Sequence, residues 1–581
     1  MKVLSIHFNH DCAFAYSPKP GVYRSYELER FTGKKHYSIH DDIVGKNIEE
    51  EYIKIIELFI NNLVKDFGAD EEIDNLFSLD LLLFDTLYPA WVSTDYYKEE
   101  YKNYSYTIFR KLILSYFQVN PDNIKFADHH DCHALCGFYQ SPFKEALVVT
   151  MDGMGTRCDN TLSYFTISIM DKFNHEIHRL AESNECNDYF DLAGKWYREM
   201  MHFCEIFKDV KNIDVCGKGM GAAGYGKPNF SFIKEFREYY NNRTYTELGR
   251  DNQMYGSHGE PFRMKTHPVC KIVRKYFDIF PGHMDEFSNL IVDWDKQVEF
   301  LASIQVLFEE EFCKLIEPFV YRYNLPIVIS GGAALNVLNN TRVKNQFKLP
   351  VYIPCNPNDS GLALGHLFRY TKPTEPVDAR FIGWNLFDEN TLEFHADKRK
   401  AKKVDVTQIS ELLRAGKIIG VVKGKCECGP RALGNRSIIC DPSYPDMKDT
   451  LNAKVKFREW YRPFAPMVLQ EDIQDYFEWD DMEAPHMSFA TKIKCEYKHQ
   501  LQSITHVDQT ARIQTVTKED NPFYYELFNE LKKTGLPVIL NTSFNSKGKP
   551  ILNTIEEALN VLDNTELDYV LVEGYLFEKN N

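Results

Sequence analysis

No stretch of this chain approaches the roughly 20 consecutive apolar residues that a membrane-crossing helix needs. Met1-Lys2 is followed by only a few apolar residues before His7, so no secretory signal core is expected. Cysteine is sparse and scattered, 14 in 581 residues, which excludes a disulfide framework and makes reduced thiols the expectation. Positive charge is also short. Lys and Arg number 68 against 84 Asp and Glu, and the formal net charge of −16 excludes a generally polyanion-binding surface while leaving room for a local cationic pocket. Solenoid repeats and low-complexity tracts are absent. What remains is a globular protein expected in the cytoplasm, away from membranes.

The composition is that of folded protein, 44% apolar and 26% charged. A length of 581 residues exceeds one core and predicts at least two domains. Residues 2–8 alternate and are rich in β-formers, and residues 145–151 form an apolar run ending in Asp152-Gly153; both read as strands that finish in polar turns. Between them Tyr52, Ile53, Ile56, Phe59, Ile60, Leu63, Val64 and Phe67 recur at helical spacing, with Gly68 as a C-cap. A second such helix covers 298–316, and a strand at 325–329 runs into Ser330-Gly331-Gly332. Such a turn can offer backbone N–H groups to phosphate or ribose oxygens, although most Gly-Gly turns only connect elements. Residues 371–380, with two prolines and no apolar periodicity, mark a linker. Beyond it a helix at 407–415 and strands at 417–424 and 536–540 predict a second α/β domain. The expected division is 1–372 and 373–581.

Asp128-His129-His130-Asp131-Cys132-His133 sets His129 and His133 at i and i+4, the spacing at which a helix offers two imidazoles to one metal; a solvated helix start with surface histidines is the alternative. Asp152 and Asp359 would add carboxylates, Asp359 being equally suited to capping the helix after it. Such a mixed donor set suits iron, manganese or zinc. After the linker, residues 424–437 pack Arg431 and Arg436 among three glycines and Pro430, a stiff turn whose guanidinium forks suit phosphate. Cys426 and Cys428 inside it read as buried thiols. Lys454, Lys456, Arg458 and Arg462 form a second cationic cluster, and Asn541-Thr542-Ser543-Phe544-Asn545 follows the strand at 536–540, where small polar groups meet ligands. Together these features favour an anionic, phosphate-bearing ligand.

The motifs as a set resemble the O-carbamoyltransferase family of nodulation-factor and tobramycin type. The matching blocks run in order: Asn9-His10-Asp11-Cys12-Ala13, Glu29-Arg30-Phe31 with Lys35-His36, His129 to His133, Met151-Asp152-Gly153, Gly217 to Gly226, Ser330 to Asn336, Asp359 to Gly365, Gly429 to Ser437, Arg462 to Pro466, His506 to Val516, and Asn541 to Asn545. The resemblance implies an N-terminal domain of the sugar kinase, Hsp70 and actin type and a C-terminal α/β domain that makes carbamoyl adenylate from carbamoyl phosphate and ATP. It implies His129, His133, Asp152 and Asp359 as ligands of a divalent transition metal, Fe2+ first, with Mn2+ and Zn2+ as alternatives. It also implies His10 as general base, and Arg431 and Lys456 as catalytic cations. Lys35, Gly331, Gly332, Asn336, Arg462, Arg512, Asn541 and Ser543 are the remaining nucleotide and substrate positions, with Mg2+ accompanying the ATP. Cys12, Phe14, Cys426 and Cys428 depart from the family's usual residues.

The expected acceptor is a hydroxyl on a natural product or sugar. Residues 237–277 carry eight Lys or Arg against four Asp or Glu, interleaved with aromatics, and so also raise a 5-hydroxymethyl pyrimidine of DNA as acceptor; a surface insertion with its own aromatic core is the plainer alternative. A homodimer is compatible with the sequence. The hydrogenase-maturation branch is disfavoured because its zinc-finger CxxC pairs are missing. A tRNA threonylcarbamoylation factor would order its domains differently, and a non-catalytic nucleotide-gated module would not need complete histidine and arginine sets.

Overall fold

The computed structural model describes the chain apart from residues 40–47, 70–72, 86–98, 159–161, 184–192, 211, 242–267, 282–288, 482 and 580–581. It divides into two compact units, one made of Met1–Phe84, Asn103–Lys125 and Pro354–Asn581, the other of Asp85–Lys102 and Phe126–Ile353. The first N-terminal segment and the whole C-terminal region fall in one of these units.

The first sheet runs Arg24–Glu27, Ala13–Ser17, Val3–His7, Leu81–Asp85, Ile124–Ala127. Val3–His7 pairs antiparallel with Ala13–Ser17 and parallel with Leu81–Asp85. All five of its residues are buried, as expected of a strand covered on both faces. A second sheet repeats this order with Glu176–Glu182, Leu162–Asp171, Glu145–Thr156, Ile327–Ser330 and Val351–Tyr352. Here too an antiparallel meander is extended by parallel strands, Ile327–Ser330 pairing with both Glu145–Thr156 and Val351–Tyr352. A sheet of this order used twice is the core of the sugar kinase, Hsp70 and actin-like fold, and the N-terminal part of the chain has it.

The third sheet has nine strands, ordered Lys402–Lys403, Tyr575–Glu578, Tyr569–Val572, Ile419–Val422, Arg436–Cys440, Val538–Ser543, Ala465–Leu469, Thr510–Val516, Phe489–Lys492. Helices Val406–Arg414 and Pro522–Lys532 cover it, burying Ile409, Leu413, Leu527, Phe528 and Leu531 against Ile419, Ile439, Met467 and Ile539. Truncating one of these leucines to Ala would cost about 2–5 kcal/mol. The first of these helices starts at a capping box: Asp405 accepts from the Gln408 N–H at 3.0 Å, and the Gln408 side chain accepts from the Asp405 N–H at 3.2 Å.

The periodic segments form helices with extended ends, Ile48–Phe67 and Trp294–Tyr323. Gly68 receives its expected place, its N–H donating to the Val64 carbonyl. Two local expectations are corrected. The strand at 145–151 does not end at Asp152-Gly153 but continues to Thr156, with a register shift between Met151 and Gly155. Asn541, Thr542 and Ser543 lie within the strand Val538–Ser543, not after it. At the end of the stretch 371–380, Arg380 pairs with Asp378 and Asp520, and its carbonyl accepts from the Cys428 N–H. Among the described residues no helix is long and apolar enough to cross a membrane.

Candidate active site

In the unit containing the second sheet, helix His129–Gln140 begins directly with His129 and carries His133 one turn later. Gly137 lets this helix approach the sheet closely, since a Cβ there would sit 2.9 Å from Val328 Cγ1. The irregularity in Glu145–Thr156 falls at Asp152, and such bulges re-aim side chains. Asp152 Oδ2 lies 3.1 Å from His129 Nε2 and 3.2 Å from His133 Nε2, and the two imidazole nitrogens are 3.1 Å apart. Burial opposes the Asp152 charge, but the two imidazoles outweigh it and hold the carboxyl well below its usual range. A divalent ion about 2.0–2.1 Å from each donor would set neighbouring ligand atoms about 3.0–3.4 Å apart, so this donor set fits a metal. His130, between them, is held well below its usual pKa by burial and by its two histidine neighbours.

The Gly-Gly turn borders the same strand. Gly331 has φ +88°, and a Cβ there would meet the Met151 carbonyl oxygen at 2.3 Å; at Gly332 it would meet Asp152 Oδ1 at 2.7 Å. The Asn336 carboxamide is taken up locally, accepting from the Asn339 N–H at 3.1 Å and pairing with Gln305 at 3.0 and 3.1 Å.

In the other unit, His10 follows the first strand with its side chain half exposed. Its Nδ1 is 3.4 Å from Asp11 Oδ2 and its Nε2 3.3 Å from Asp359 Oδ2. Asp11, at φ +60°, is also bonded by His36 Nδ1 at 2.7 Å and by Asn358 Nδ2 at 3.0 Å. These contacts hold its carboxyl low against the opposing effect of burial.

The same unit contains the Gly-Pro-Arg loop, whose shape is set by an anion of its own. Glu427 Oε1 accepts from the N–H groups of Leu433, Gly434, Asn435 and Arg436 at 2.9, 3.0, 2.8 and 3.0 Å. Nothing in the local sequence assigns Glu427 this role, since a lone glutamate between cysteines carries no spacing signal. Arg436, read as a phosphate fork, instead points inward. Its guanidinium donates to Asn553 Oδ1 and to the carbonyls of Lys423, Gly424 and Asn435.

Arg431, Lys456, Arg458, Arg462 and Arg512 gather as a cationic cluster. Burial and the neighbouring Arg462 push Arg431 down to about 10, and burial with its cationic neighbours acts the same way on Lys456, Arg458 and Arg512. Lys35 is among the charges bearing on Lys456. Guanidinium groups stay protonated at neutral pH, so this mutual repulsion is expressed as affinity for an anion. Among the described residues no carboxylate pairs with Arg431, Lys456 or Arg512, and Arg512 Nε is buried without a hydrogen-bond partner. Lys456 Nζ donates to the Ser543 carbonyl at 2.6 Å, the Asn545 carbonyl at 3.0 Å and the Asn545 side chain. Asn541 braces the loop, donating to the Ala432 carbonyl at 3.1 Å and to Gln514 at 2.7 Å.

A family model described as the carbamoyltransferase N-terminus matches residues 2–367, and one described as the carbamoyltransferase C-terminus matches residues 410–579. The chain belongs to the carbamoyltransferase family. Nodulation protein NolNO of Sinorhizobium fredii is 30% identical to this carbamoyltransferase over 501 residues, covering 81% of this chain and 67% of its own. The 3'-hydroxymethylcephem-O-carbamoyltransferase of Streptomyces clavuligerus is 35% identical over 256 residues, 42% of this chain and 47% of that one. Among solved structures, full-length HypF in its phosphate- and nucleotide-bound form aligns at 15% identity and a TM-score of 0.33. That alignment covers 64% of this carbamoyltransferase and 46% of HypF, so the chain spans about half of HypF's length.

Proposed function

We propose that this carbamoyltransferase makes carbamoyl adenylate from carbamoyl phosphate and ATP, then passes the carbamoyl group to an acceptor hydroxyl. The observation that carries this reading is the cationic cluster of Arg431, Lys456, Arg458, Arg462 and Arg512, in which Glu459 stands 3.8 Å from Arg462 while, among the described residues, no carboxylate pairs with Arg431, Lys456 or Arg512. Two phosphate-bearing substrates supply the negative charge that it lacks. Mass balance sets the first half-reaction. Water cleaves carbamoyl phosphate to carbamate and orthophosphate, and a carbamate oxygen then attacks the α-phosphorus of ATP and expels pyrophosphate. Arg431 holds the phosphoryl oxygens, and Lys456, whose N–H groups are taken by Ser543 and Asn545, adds its charge with Arg462 and Arg512 as negative charge builds on the leaving group.

In the second half-reaction His10 accepts the acceptor's proton, the acceptor oxygen attacks the carbamoyl carbon, and AMP leaves. An alcohol is a weak nucleophile at neutral pH, and an imidazole with an ordinary pKa of about 6.5 is a suitable base. Asp11, at Nδ1 of His10, supports this role by fixing the ring. His129, His133 and Asp152 are proposed to hold the divalent metal, with Asp359 as a fourth ligand on the sequence reading and the resemblance. Such an ion would stabilise negative charge on a substrate oxygen.

The proposed acceptor is a hydroxylated small molecule. The stretch that raised nucleic acid, 237–277, lies largely outside the described residues, and two of the cations at its described ends are spent locally. Arg237 pairs with Glu310 and Glu311, and Lys275 pairs with Glu235. The test is a panel of hydroxylated metabolites and 5-hydroxymethyl pyrimidine DNA incubated with ATP, Mg2+ and carbamoyl phosphate, read by mass spectrometry for one added carbamoyl group. Labelling of the small molecules supports the reading. Labelling of DNA alone replaces the acceptor, and absence of pyrophosphate under every condition overturns the adenylate route.

A further inference from the structure

Between the His10 turn and the Gly-Pro-Arg loop stands a buried cluster of carboxyl groups around Arg30 that the proposed chemistry does not use. The Arg30 side chain is 2% exposed. Its guanidinium bonds Glu29 Oε1 at 2.7 Å, Glu27 Oε2 at 2.9 Å and the carbonyl of Gly429 at 2.7 Å. The N–H of Gly429 in turn donates to Glu27 Oε1, so Glu27 and Arg30 grip both polar groups of the residue that opens the loop to Arg431. On its other side the cluster reaches the proposed base. Glu29 Oε2 accepts from the His36 N–H at 2.9 Å, His36 Nδ1 meets Asp11 Oδ1 at 2.7 Å, and Asp11 Oδ2 faces His10.

A second route runs parallel to the first. Gly429 has φ +93°, and a Cβ there would lie 2.2 Å from the Cys355 carbonyl oxygen. Three residues on, Asn358 Nδ2 donates to Asp11 Oδ2 at 3.0 Å. Gly429 therefore cannot shift without pressing on groups that orient Asp11, because close-packed contacts of this kind transmit displacement instead of absorbing it. All of these residues belong to one compact unit.

We propose that Arg30 is a positioning residue that couples the Gly429-Pro430-Arg431 loop to the His10 turn, so that an anion in the cationic cluster orders the transfer base. This rests on reading the cluster as a phosphate site and His10 as the base. The coupling makes transfer competent only when donor chemistry is loaded, which limits loss of the carbamoyl group to water.

Inorganic pyrophosphate is the probe, and hydrogen exchange of the full chain, followed by mass spectrometry, is the readout. In the wild type, pyrophosphate should slow exchange in residues 424–436 and also in 8–14 and 28–38, by roughly fivefold or more, the scale of a 1 kcal/mol coupling. Arg30→Lys supplies charge without the planar fork. It should keep the response at 424–436 and lose it at 8–14 and 28–38. Glu29→Gln provides a second variant if the first folds poorly. Its side chain has a single acceptor oxygen for the two donors, Arg30 and the His36 N–H, so it severs one link and should give the same pattern. Protection at 424–436 without any at 8–14 and 28–38 in the wild type, or an unchanged response in both variants, would overturn the coupling. No response at 424–436 in the wild type would remove the phosphate-site reading and the coupling with it.

Discussion

His129 and His133 bring their Nε2 atoms to 3.1 Å of one another, with Asp152 Oδ2 at 3.1 and 3.2 Å from them. Two imidazole nitrogens and a carboxylate oxygen this close leave their lone pairs converging, a geometry that a cation satisfies better than one shared proton does. The expected outcome is about one equivalent of a divalent transition metal in the purified protein, measured by elemental analysis. His129→Ala with His133→Ala should weaken its binding by at least about 100-fold. A chelator should lower the Tm of the wild type and leave that of the double variant unchanged, because an ion that binds only the folded state stabilises it. Full activity in a preparation free of metal would defeat the assignment.

The two proposed half-reactions separate by mutation. Arg431→Ala should slow pyrophosphate release from ATP and carbamoyl phosphate by roughly 10²–10³-fold, the usual cost of removing one preorganised charge-stabilising donor. His10→Ala should leave that step intact and slow transfer by roughly 10²–10⁴-fold. Pyrophosphate release and acceptor carbamoylation are followed separately on the same samples. Equal loss of both steps in both variants would contradict a division of labour between the two sites.

Much of this site was legible because its residues are near one another in sequence: the i, i+4 histidines, the Gly-Gly turn after a strand, and the Arg-rich loop. Legibility fails where a side chain's direction depends on a distant partner. Arg431 and Arg436 lie in one block, yet only the burial of Arg436 against Asn553 shows that it braces the interior. The apolar pattern ends at Met151 because glycines at 153 and 155 interrupt it, whereas pairing with Leu162–Asp171 carries the strand on to Thr156. Arg30 and Gly429 are 399 residues apart, and no local spacing announces their bond.

Gly332 marks how closely the turn follows the proposed metal ligand. A Cβ at this position would fall 2.7 Å from Asp152 Oδ1, so Gly332→Ala should displace that carboxylate and lower metal content while leaving the fold in place. Gly331→Ala adds backbone strain, since φ is +88° and the Met151 carbonyl oxygen stands 2.3 Å from the new atom. It should cost about 1–3 kcal/mol of stability as well. Elemental analysis and thermal unfolding distinguish the two. Normal metal content in Gly332→Ala would show that Asp152 does not need the space.

Glu27 gives the fold a dependence on pH whose sign is fixed. Burial raises its carboxyl from 4.5 to about 7, although the Arg30 guanidinium pulls the other way. Between about 4.5 and 7 the folded chain therefore keeps a proton that the unfolded chain has released. Stability from this group is greatest below the window, falls as pH rises through it, and is level above it. The whole effect is on the order of 3 kcal/mol. Glu27→Gln cannot titrate, so its Tm should change less than the wild type's between pH 5 and pH 7, with both proteins measured in one buffer series. Parallel curves for the two would mean that Glu27 is ionised in the folded state throughout that range.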